Sequence, residues 1–306
     1  MRFVVCGEAL IDMLSGDERT PAESAWRALS GGGPMNTAVA LGKLGLDSHF
    51  LGRLSSDAFG RQLAEHIESN GVQLDLAITT DDPTSLAIVS LDDEGKAHYT
   101  FHFHGTSNFN WHDEEFPELS EGDWLHFGSI GAVTDPSYSP VLRFVAGTEA
   151  KISFDINVRP TVIPDRAEYN EKVASFLRVV GENGGIAKAS DDDLLWLTEG
   201  ADPVETAQRW CAEFGLPLFI VTLGADGVAA VRGDGSVVKV AGRRVEVADT
   251  VGAGDTFMAG FLSSYADNPE ALEAALDRGV AAAALVCTRQ GAKPPTAEEV
   301  DAFLSR

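Results

Sequence analysis

The chain has 306 residues, of which 44% are hydrophobic, enough to bury the core of one large α/β domain. Its formal net charge of −24 at pH 7 would repel a phosphate backbone, which argues against nucleic acid as a partner. No run of about 18 apolar residues occurs, so we expect no membrane span. The opening stretch holds Glu8 and Asp12 among its apolar residues, unlike a secretory signal. Three widely spaced cysteines fit neither a disulfide framework nor a metal cluster, and we expect a cytoplasmic protein: Cys6, Cys211 and Cys287.

The first 71 residues are predicted to alternate strands and helices. "RFVVCGEAL" predicts a short buried strand that ends at Gly7, and "GGGPMNTAVALGKLG" predicts a glycine loop leading into a helix with Pro34 near its first turn. "SHFLGRLS" is predicted to form one further strand. "DAFGRQLAEHIESNG" predicts a helix with Asp57 as its N-cap and Gly71 just past its end.

The pattern becomes β-rich from residue 72 to about 104. "TSLAIVSLDDEGKAHYTFHFH" contains two β-type runs around the turn "DDEG". Together with the stretch around residues 10–29, the segment 84–105 is predicted to form a small β-sheet that acts as a lid.

A cluster of histidines falls on this lid. In "HYTFHFHG", His98, His102 and His104 share one strand face, and Phe101 and Phe103 share the other. A metal site is one interpretation. A lid strand that excludes water from an active site is the interpretation we favour.

Strands and helices alternate again after residue 120. "WLHFGS", "KISFDIN", "GIAKAS" and "PLFIVTLG" read as strands separated by helical segments, which predicts a mostly parallel sheet covered by helices. "DGVAAVRGDGSVVKVAG" predicts a hairpin, and helices are predicted over 254–266, 270–288 and 296–305. We therefore expect a single domain, residues 1–306, of the α/β class.

The segment "DTVGAGDTFMAGF" combines glycines, acids and the start of an apolar helix. A helix start offers unpaired N–H groups and the positive end of the helix dipole, which bind anions. Gly252 and Gly254 would let a ligand approach the backbone, and Asp255 could accept a proton from an alcohol. The arrangement suits phosphoryl transfer to a hydroxyl group, although a plain helix start with an acidic first turn fits the segment alone equally well.

Two other nucleotide-binding signatures are missing. The chain contains no G-x-x-x-x-G-K-S/T, so it is not a P-loop protein. Its first strand leads into "GEALID" without G-x-G-x-x-G, which argues against a dinucleotide-dependent oxidoreductase.

Two long motifs resemble the signatures of the ribokinase-like (PfkB) carbohydrate kinases. "SGGGPMNTAVALGKLG" is similar to the amino-terminal signature and "DTVGAGDTFMAGF" to the carboxyl-terminal one. "GEALID", "FDINVRP", "KAS" and "VTLGADG" follow the family's order, so the resemblance covers residue 4 to about 295. It implies a three-layer sandwich with a mostly parallel central sheet and a small β-sheet lid. It also implies an ATP-dependent sugar kinase that uses Mg²⁺, with K⁺ as a further candidate ion.

The resemblance gives catalytic roles to the carboxyl-terminal motif. It implies that Asp255 is the general base, and that Gly252, Ala253 and Gly254 form the amide cradle for the transferred phosphoryl group. Asp249 would help to bind a monovalent cation, or would serve only as a turn residue.

Sugar-binding candidates come from several segments. Asp12 needs polar partners if it is buried, and sugar hydroxyls could supply them, as could a structural hydrogen bond. Asn36 can donate to and accept from a sugar. Arg159 follows a strand of a doubly wound sheet, where ligands bind, although a surface ion pair would also explain it. The expected sugar-binding residues are Asp12, Gly32, Gly33, Asn36, Phe103, Arg159 and Asp255.

The magnesium and nucleotide assignments follow the resemblance. In "KASDDDLLWL" the acid at the family's spacing from Ser190 is Asp193, but Asp191 and Asp192 blur the register, and all three also resemble a helix start. We favour Asp193 as an acid that orients Mg²⁺ through water. The expected nucleotide-binding residues are Asn157, Lys188, Thr222, Gly224, Gly227, Gly252, Gly254, Ala284 and Cys287.

The pattern is most similar to the bacterial fructokinase branch, which implies D-fructose as the substrate and fructose 6-phosphate as the product. Alternatives are 2-keto-3-deoxygluconate kinase, ribokinase and nucleoside kinase. A sugar sensor without activity is a further alternative, although the intact "GAGD" argues against it. We expect a homodimer joined through the lid, a small neutral sugar as ligand, and no nucleic acid or membrane partner.

Overall fold

A computed structural model describes residues 1–91 and 97–306. The strands in chain order are β1 (Arg2–Cys6), β2 (Leu10–Arg19), β3 (Ser24–Gly31), β4 (Asp47–Leu51), β5 (Arg53–Ser55), β6 (Ile78–Thr80), β7 (Leu86–Leu91), β8 (Ala97–His102), β9 (Asp123–Gly128), β10 (Lys151–Asp155), β11 (Ile186–Ser190), β12 (Leu218–Thr222), β13 (Gly227–Arg232) and β14 (Val237–Ala241). The helices are α1 (Gly33–Lys43), α2 (Ala58–Ser69), α3 (Ser129–Val133), α4 (Tyr138–Gly147), α5 (Arg166–Glu182), α6 (Asp191–Leu197), α7 (Pro203–Phe214), α8 (Ala253–Tyr265), α9 (Leu272–Cys287) and α10 (Ala297–Leu304).

The central sheet has eight strands in the order β14-β13-β12-β11-β10-β9-β1-β4. The six strands from β12 to β4 pair in parallel, and β13 and β14 add antiparallel at one edge. The parallel strands carry nearly continuous apolar runs because helices cover both faces. Their carboxyl ends therefore meet at one edge, which positions the residues that follow each strand.

Two apolar cores lie on opposite faces of this sheet. One core is formed with α1, α2, α8, α9 and α10, and the other with α3 to α7. Helix α8 is buried along most of its length, and a Cβ added to Gly260 would lie 2.8 Å from Ala282 Cβ in α9. The close approach of α8 to α9 thus explains the small residues of "FMAGF". The expected three-layer α/β fold with a mostly parallel sheet is confirmed.

A second, four-stranded sheet has the order β3-β2-β7-β8. It contains the predicted lid segments, and β7 and β8 pair antiparallel as expected. The "DDEG" turn falls on residues 92–95, outside the described part of the chain. A small apolar cluster at the base of this sheet joins it to the main body: Leu10, Ala87, Phe103, Phe109 and Ile130.

The prediction of a single strand over "SHFLGRLS" is wrong. The segment forms β4 in the central sheet and β5 in a separate two-stranded sheet with β6, with Gly52 between them. A Cβ at Gly52 would lie 2.2 Å from the Phe50 ring, so glycine lets the chain change direction against that ring. The prediction of Asp57 as an N-cap is confirmed, because its side chain accepts the Gly60 N–H at 2.7 Å. Among the described residues, no helix is both long and apolar enough to cross a membrane.

Candidate active site

The amino termini of α1 and α8 face each other at the carboxyl edge of the central sheet. The Asn36 amide in the first turn of α1 donates a hydrogen bond of 2.9 Å to Asp255 Oδ2 in the first turn of α8. Gly252 caps α8 with φ 76°, a left-handed conformation that favours glycine. Both side chains are buried, Asp255 to 8% exposure and Asn36 to 9%. Two helix starts thus converge on one carboxylate.

The surroundings of Asp255 tune its ionisation. The pKa of this carboxyl is raised to about 6, mainly by burial and also by the nearby Asp155 carboxylate. The Asn36 hydrogen bond and the positive charges of Lys188 and Arg159 oppose that shift. With a pKa near 6, most of the Asp255 carboxylate is ionised at pH 7 and can accept a proton.

The first turn of α8 leaves backbone donors for an anion. The N–H groups of Gly252, Gly254 and Asp255 reach no acceptor among the described residues, whereas the Ala253 N–H donates to the Thr250 carbonyl at 3.2 Å. Of the residues expected in the cradle, two therefore offer a free amide and Ala253 does not. The amide of Asp255 itself is an addition that sequence reasoning missed.

A buried cation lies beside this turn. Lys188 Nζ donates to both carboxylate oxygens of Asp155, at 2.8 and 3.1 Å, and both side chains are almost fully buried. A Cβ added to Gly254 would lie 2.9 Å from the same Nζ. Asp155 was not expected in the site, although its place at the end of β10 is the same signal that pointed to Asn157.

The residues after β9 and β10 complete the floor of the site. Asn157 Nδ2 donates to Ser129 Oγ at 3.2 Å, and both residues have left-handed backbones, with φ 42° and 59°. Neither Ser129 nor His126 was expected in the site. A small cavity of about 10 Å³, the size of one water molecule, lies among them and is lined by Gly33, Pro34, Thr37, His126, Gly128, Ser129, Asp155, Asn157 and Asp255.

Two of the expected sugar-binding residues, Asp12 and Gly32, lie in β2 of the second sheet and at the start of α1. Asp12 lies in β2, and burial raises its pKa to about 6. Its Oδ2 would be 2.4 Å from a Cβ on Gly31, so it leans across the strand next to it. Gly32 has φ 117° and no room for a side chain, because a Cβ there would lie 2.5 Å from the Glu8 carbonyl oxygen.

Arg159 is exposed and forms no ion pair with another described residue. Its Nη1 donates to the adjacent Val158 carbonyl at 2.9 Å. Its positive charge lowers the pKa of Glu8, Asp12 and Asp255, which places it among three acids. Without an ion-pair partner in the described part of the chain, the rest of this guanidinium can contact either a sugar or a phosphate.

Asp193 is buried and both of its carboxylate oxygens accept backbone hydrogen bonds. Oδ1 accepts the Val158 N–H at 2.8 Å, and Oδ2 accepts the Ser190 N–H at 2.8 Å as part of a capping box. Asp191 and Asp192 are more exposed. Of these three acids, Asp193 is thus the one whose side chain points into the protein. It takes part in the capping box of α6 and also lies near the site.

The remaining nucleotide candidates lie at the end of β12, in the turn into β13 and in α9. Thr222 ends β12, Gly224 has open space around it, and a Cβ on Gly227 would lie 2.2 Å from the Val240 carbonyl oxygen. Packing against β14 therefore explains Gly227. Asp249 accepts the N–H of Val251 and of Gly291, while Ala284 and Cys287 belong to α9, where the Cys287 carbonyl accepts the Asp249 N–H.

The aromatic and histidine candidates of the four-stranded sheet differ in burial. Phe103 is buried at the base of that sheet, with ring centroids 4.8 Å from Phe101 and 5.0 Å from Phe109. His102 and His104 are exposed, and the side chain of His98 lies outside the described part of the molecule. Among the described residues, no group of three or more His, Cys, Asp or Glu side chains could hold a metal ion.

A surface depression larger than the cavity beside Asp255 lies elsewhere. It has a volume of about 680 Å³ and contains none of the expected site residues. Its lining includes an aromatic stack of Phe116 on Phe144, at 4.5 Å between ring centroids, and the exposed ion pair of Arg143 with Asp113. Size alone therefore does not identify the chemical site in this fold.

Comparison with known proteins agrees with this geometry. The model of the pfkB family of carbohydrate kinases matches residues 2–299. A fructokinase from Rhizobium leguminosarum bv. trifolii is 35% identical over 86% of this chain and 79% of its own length, and a fructokinase from Vibrio alginolyticus is 31% identical over 99% and 98%. A crystal structure of fructokinase from Vibrio cholerae with fructose, ADP and calcium ion bound superposes with a TM-score of 0.85 at 28% identity, covering 99% of this chain and 98% of that one. The chain therefore belongs to the pfkB family of carbohydrate kinases.

Proposed function

We propose that this carbohydrate kinase phosphorylates D-fructose on its terminal hydroxymethyl group, with ATP as the phosphoryl donor. Membership of the family implies a sugar substrate and ATP. The observation that carries the chemistry is the buried contact between Asn36 and Asp255 at two facing helix starts. Relatives called fructokinase, 30–35% identical over most of the chain, support fructose as the sugar.

The residues of the site suit an in-line transfer. Asp255 accepts the proton of the sugar hydroxyl while that oxygen forms a bond to the γ-phosphorus of ATP, and ADP leaves as the bond from the γ-phosphorus to the bridging oxygen breaks. The free N–H groups of Gly254 and Asp255 stabilise the charge on the transferred group, together with the helix dipole. Lys188, held by Asp155, adds a buried positive charge beside them.

The donor set fits a metal that arrives with the nucleotide. Magnesium retains several waters and needs few carboxylates, and when bound it neutralises phosphate charge during transfer. Asp193 has both oxygens engaged by backbone N–H groups, so it would contact such waters through its remaining lone pairs. Asp249 is our candidate for a monovalent cation such as K⁺; a crystallised fructokinase double mutant from Vibrio cholerae contains a potassium ion.

The sugar pocket is assigned to Asp12, Asn36 and Arg159. A carboxyl with a pKa raised by burial gains from hydroxyl donors, which a polyhydroxylated neutral sugar supplies. Arg159 is the one group of this set that would suit an acid sugar. An aminoimidazole riboside kinase from Salmonella enterica also superposes with a TM-score of 0.85 at 25% identity over the whole chain, so a riboside is the second candidate substrate.

A coupled assay of ADP release tests this assignment directly. The purified protein is given ATP and Mg²⁺ with D-fructose, ribose, 2-keto-3-deoxygluconate, adenosine or aminoimidazole riboside. We expect fructose to have the highest kcat/KM, since unmatched polar groups can discriminate by factors on the order of 10⁴. A tenfold or greater preference for the keto-deoxy acid would mean that Arg159 defines the pocket. If no sugar in the series stimulates ATP consumption, the result would favour the sugar sensor without activity over the enzyme.

The second sheet is assigned a lid function within one domain that spans residues 1–306, with the lid formed by about 10–29 and 84–105. Its strands cannot form a core by themselves. The residues Ser24–Arg27 of β3 are exposed, and Trp26 is 40% exposed. Pairing of this face with the lid of a second subunit would cover it, which supports a homodimer.

A further inference from the structure

One more buried carboxyl, that of Glu8, lies close to the site, and the proposed chemistry leaves it without a role. Glu8 follows β1 and is 2% exposed. Burial raises its pKa to about 7, so keeping a carboxyl here is unfavourable unless it has partners. Its position at the carboxyl end of a central strand makes those partners informative.

The partners of Glu8 belong to the segment that follows β9. Glu8 Oε2 accepts the N–H of Gly131 at 2.9 Å, and the Ser129 side chain is near enough to lower the pKa of the Glu8 carboxyl. A Cβ on Gly131 would lie 2.8 Å from the same oxygen, so glycine permits this approach. Glu8 therefore joins the end of β1 to the first turn of α3.

That turn contains an unfavourable backbone conformation next to the site. Among the described residues, the non-glycine residues with positive φ are Ser129, Asn157 and Glu199, and the first two are joined by a hydrogen bond of 3.2 Å. Such conformations persist only where surrounding contacts hold them, and they concentrate at functional sites. For Ser129, the contact with Glu8 is one that can hold it.

Asn157 connects this pair to the expected base. Its Nδ2 lies 2.8 Å from the position that a Cβ on Gly33 would take, and that position lies 3.3 Å from Asp255 Oδ1. The Asn157 amide and the Asp255 carboxylate therefore face each other across Gly33. Rotation of the Asn157 side chain would therefore move its amide relative to the Asp255 carboxylate.

We propose that Glu8 is a positioning residue for phosphoryl transfer: it holds Ser129 in its left-handed conformation, and Ser129 in turn orients the Asn157 amide toward Asp255. The proposal rests on the proposed kinase function. It assigns no contact between Glu8 and either substrate.

A double-mutant cycle tests this chain of contacts. Glu8→Leu and Ser129→Ala each remove one member, and we expect each to lower kcat for fructose by at least ~10-fold. The kcat of the double variant should be no more than ~3-fold below that of the less active single variant, since the effects of residues that act through one another are not additive. Glu8→Gln keeps an acceptor for the Gly131 N–H and a partner for Ser129, so it should retain most of the activity.

Asp123→Leu is the matched control. Asp123 is also a buried acid, but it is the first residue of β9 and so lies at the opposite end of the paired strands β1 and β9, where it pairs with Arg2 at 2.8 Å. We expect this variant to lower the melting temperature and to leave kcat within ~2-fold, since removing one partner of a partly buried ion pair far from the site acts on stability.

Several outcomes would overturn the proposal. One is a folded Glu8→Leu enzyme with unchanged kcat, and another is a double variant whose loss equals the product of the single losses. If Glu8→Leu does not fold, Ser129→Ala decides by itself, and an unchanged kcat in that variant rejects the role. Wild-type activity on fructose is measured in the same series, so failure of the substrate assignment is distinguished from failure of the Glu8 proposal.

Discussion

Asn36 and Asp255 are 219 residues apart in the chain, yet the Asn36 amide donates to the Asp255 carboxylate at 2.9 Å. The contact orients the carboxylate and leaves Asp255 Oδ1 without a partner among the described residues. It also opposes the effect of burial on the Asp255 pKa. One hydrogen bond therefore joins the two signature motifs into a single site.

Replacing Asp255 with asparagine should abolish the proton acceptor without changing the size of the side chain. We expect kcat for fructose to fall by at least ~10²-fold, with nucleotide affinity largely kept, because general bases contribute factors of this order. Steady-state kinetics and ATP titration calorimetry measure the two quantities. Near-normal kcat in a folded variant would remove Asp255 from the role of base.

The activity should decline as the pH falls through about 6. The raised pKa of Asp255 means that its ionised, proton-accepting form is lost below that value. A plot of kcat against pH should show an acidic limb near 6 in the wild type. A limb near 4 would mean that burial does not tune this carboxyl.

The same shift has a consequence for stability. The folded protein binds the proton of Asp255 more tightly than the unfolded chain does. The stabilising contribution of this carboxyl to folding is therefore present below pH 4 and is lost as the pH rises through 6. The free energy of unfolding of Asp255→Asn should therefore exceed that of the wild type by up to about 3 kcal/mol at pH 8 and by little at pH 4. Urea unfolding at both pH values measures the difference, and an equal gain at both would contradict the linkage.

Replacing Gly254 with alanine should disturb the cation beside the transferred group. The added Cβ would lie 2.9 Å from Lys188 Nζ, so the ammonium must move away from Asp155 or from the helix start. We expect kcat to fall ~10-fold or more while the fold is kept, because oriented charges at the reacting group are worth this much. Gly147→Ala is a suitable comparison, since a Cβ there meets no atom within 4 Å and the residue belongs to neither the expected sugar-binding nor the expected nucleotide-binding set. Similar losses of kcat in both variants would mean that contact with Lys188 is not the cause.

Asp193→Asn tests the magnesium assignment with the least structural change. An amide keeps one acceptor, so part of the capping box survives while the negative charge is lost. We expect a higher Mg²⁺ concentration at half-maximal rate and an unchanged affinity for sugar. Asp191→Asn and Asp192→Asn are the controls. A larger magnesium-dependent defect in either control would mean that the register of this motif is wrong.

The lid proposal predicts a concentration-independent dimer and a sugar-dependent closure. Light scattering should give twice the mass of the chain, and hydrogen exchange in residues 85–104 should slow when fructose binds, because closing a lid protects its amides. Trp26→Glu would place a charge on the exposed face of β3 and should weaken the dimer. A monomer without sugar-dependent protection would reject both parts of the proposal.

Local chemistry in the sequence determined much of this protein. Apolar runs marked the parallel strands, and glycine, proline and Asp57 marked helix ends within one or two residues, because these signals act on neighbouring backbone groups. The two glycine-rich motifs also identified the family and the segments of the site. The exception was Gly52, where contact with the Phe50 ring divides one apolar run between two sheets.

The tertiary structure alone decided which side chains meet and how they ionise. Asp155 with Lys188, and Glu8 with Ser129, come from strands that are distant in the chain and adjacent in the sheet. The order β11-β10-β9-β1 brings their carboxyl ends together, and no local pattern encodes that order. Burial then raises the pKa values of Glu8 and Asp255, and burial is a property of the whole packed core and not of any short segment.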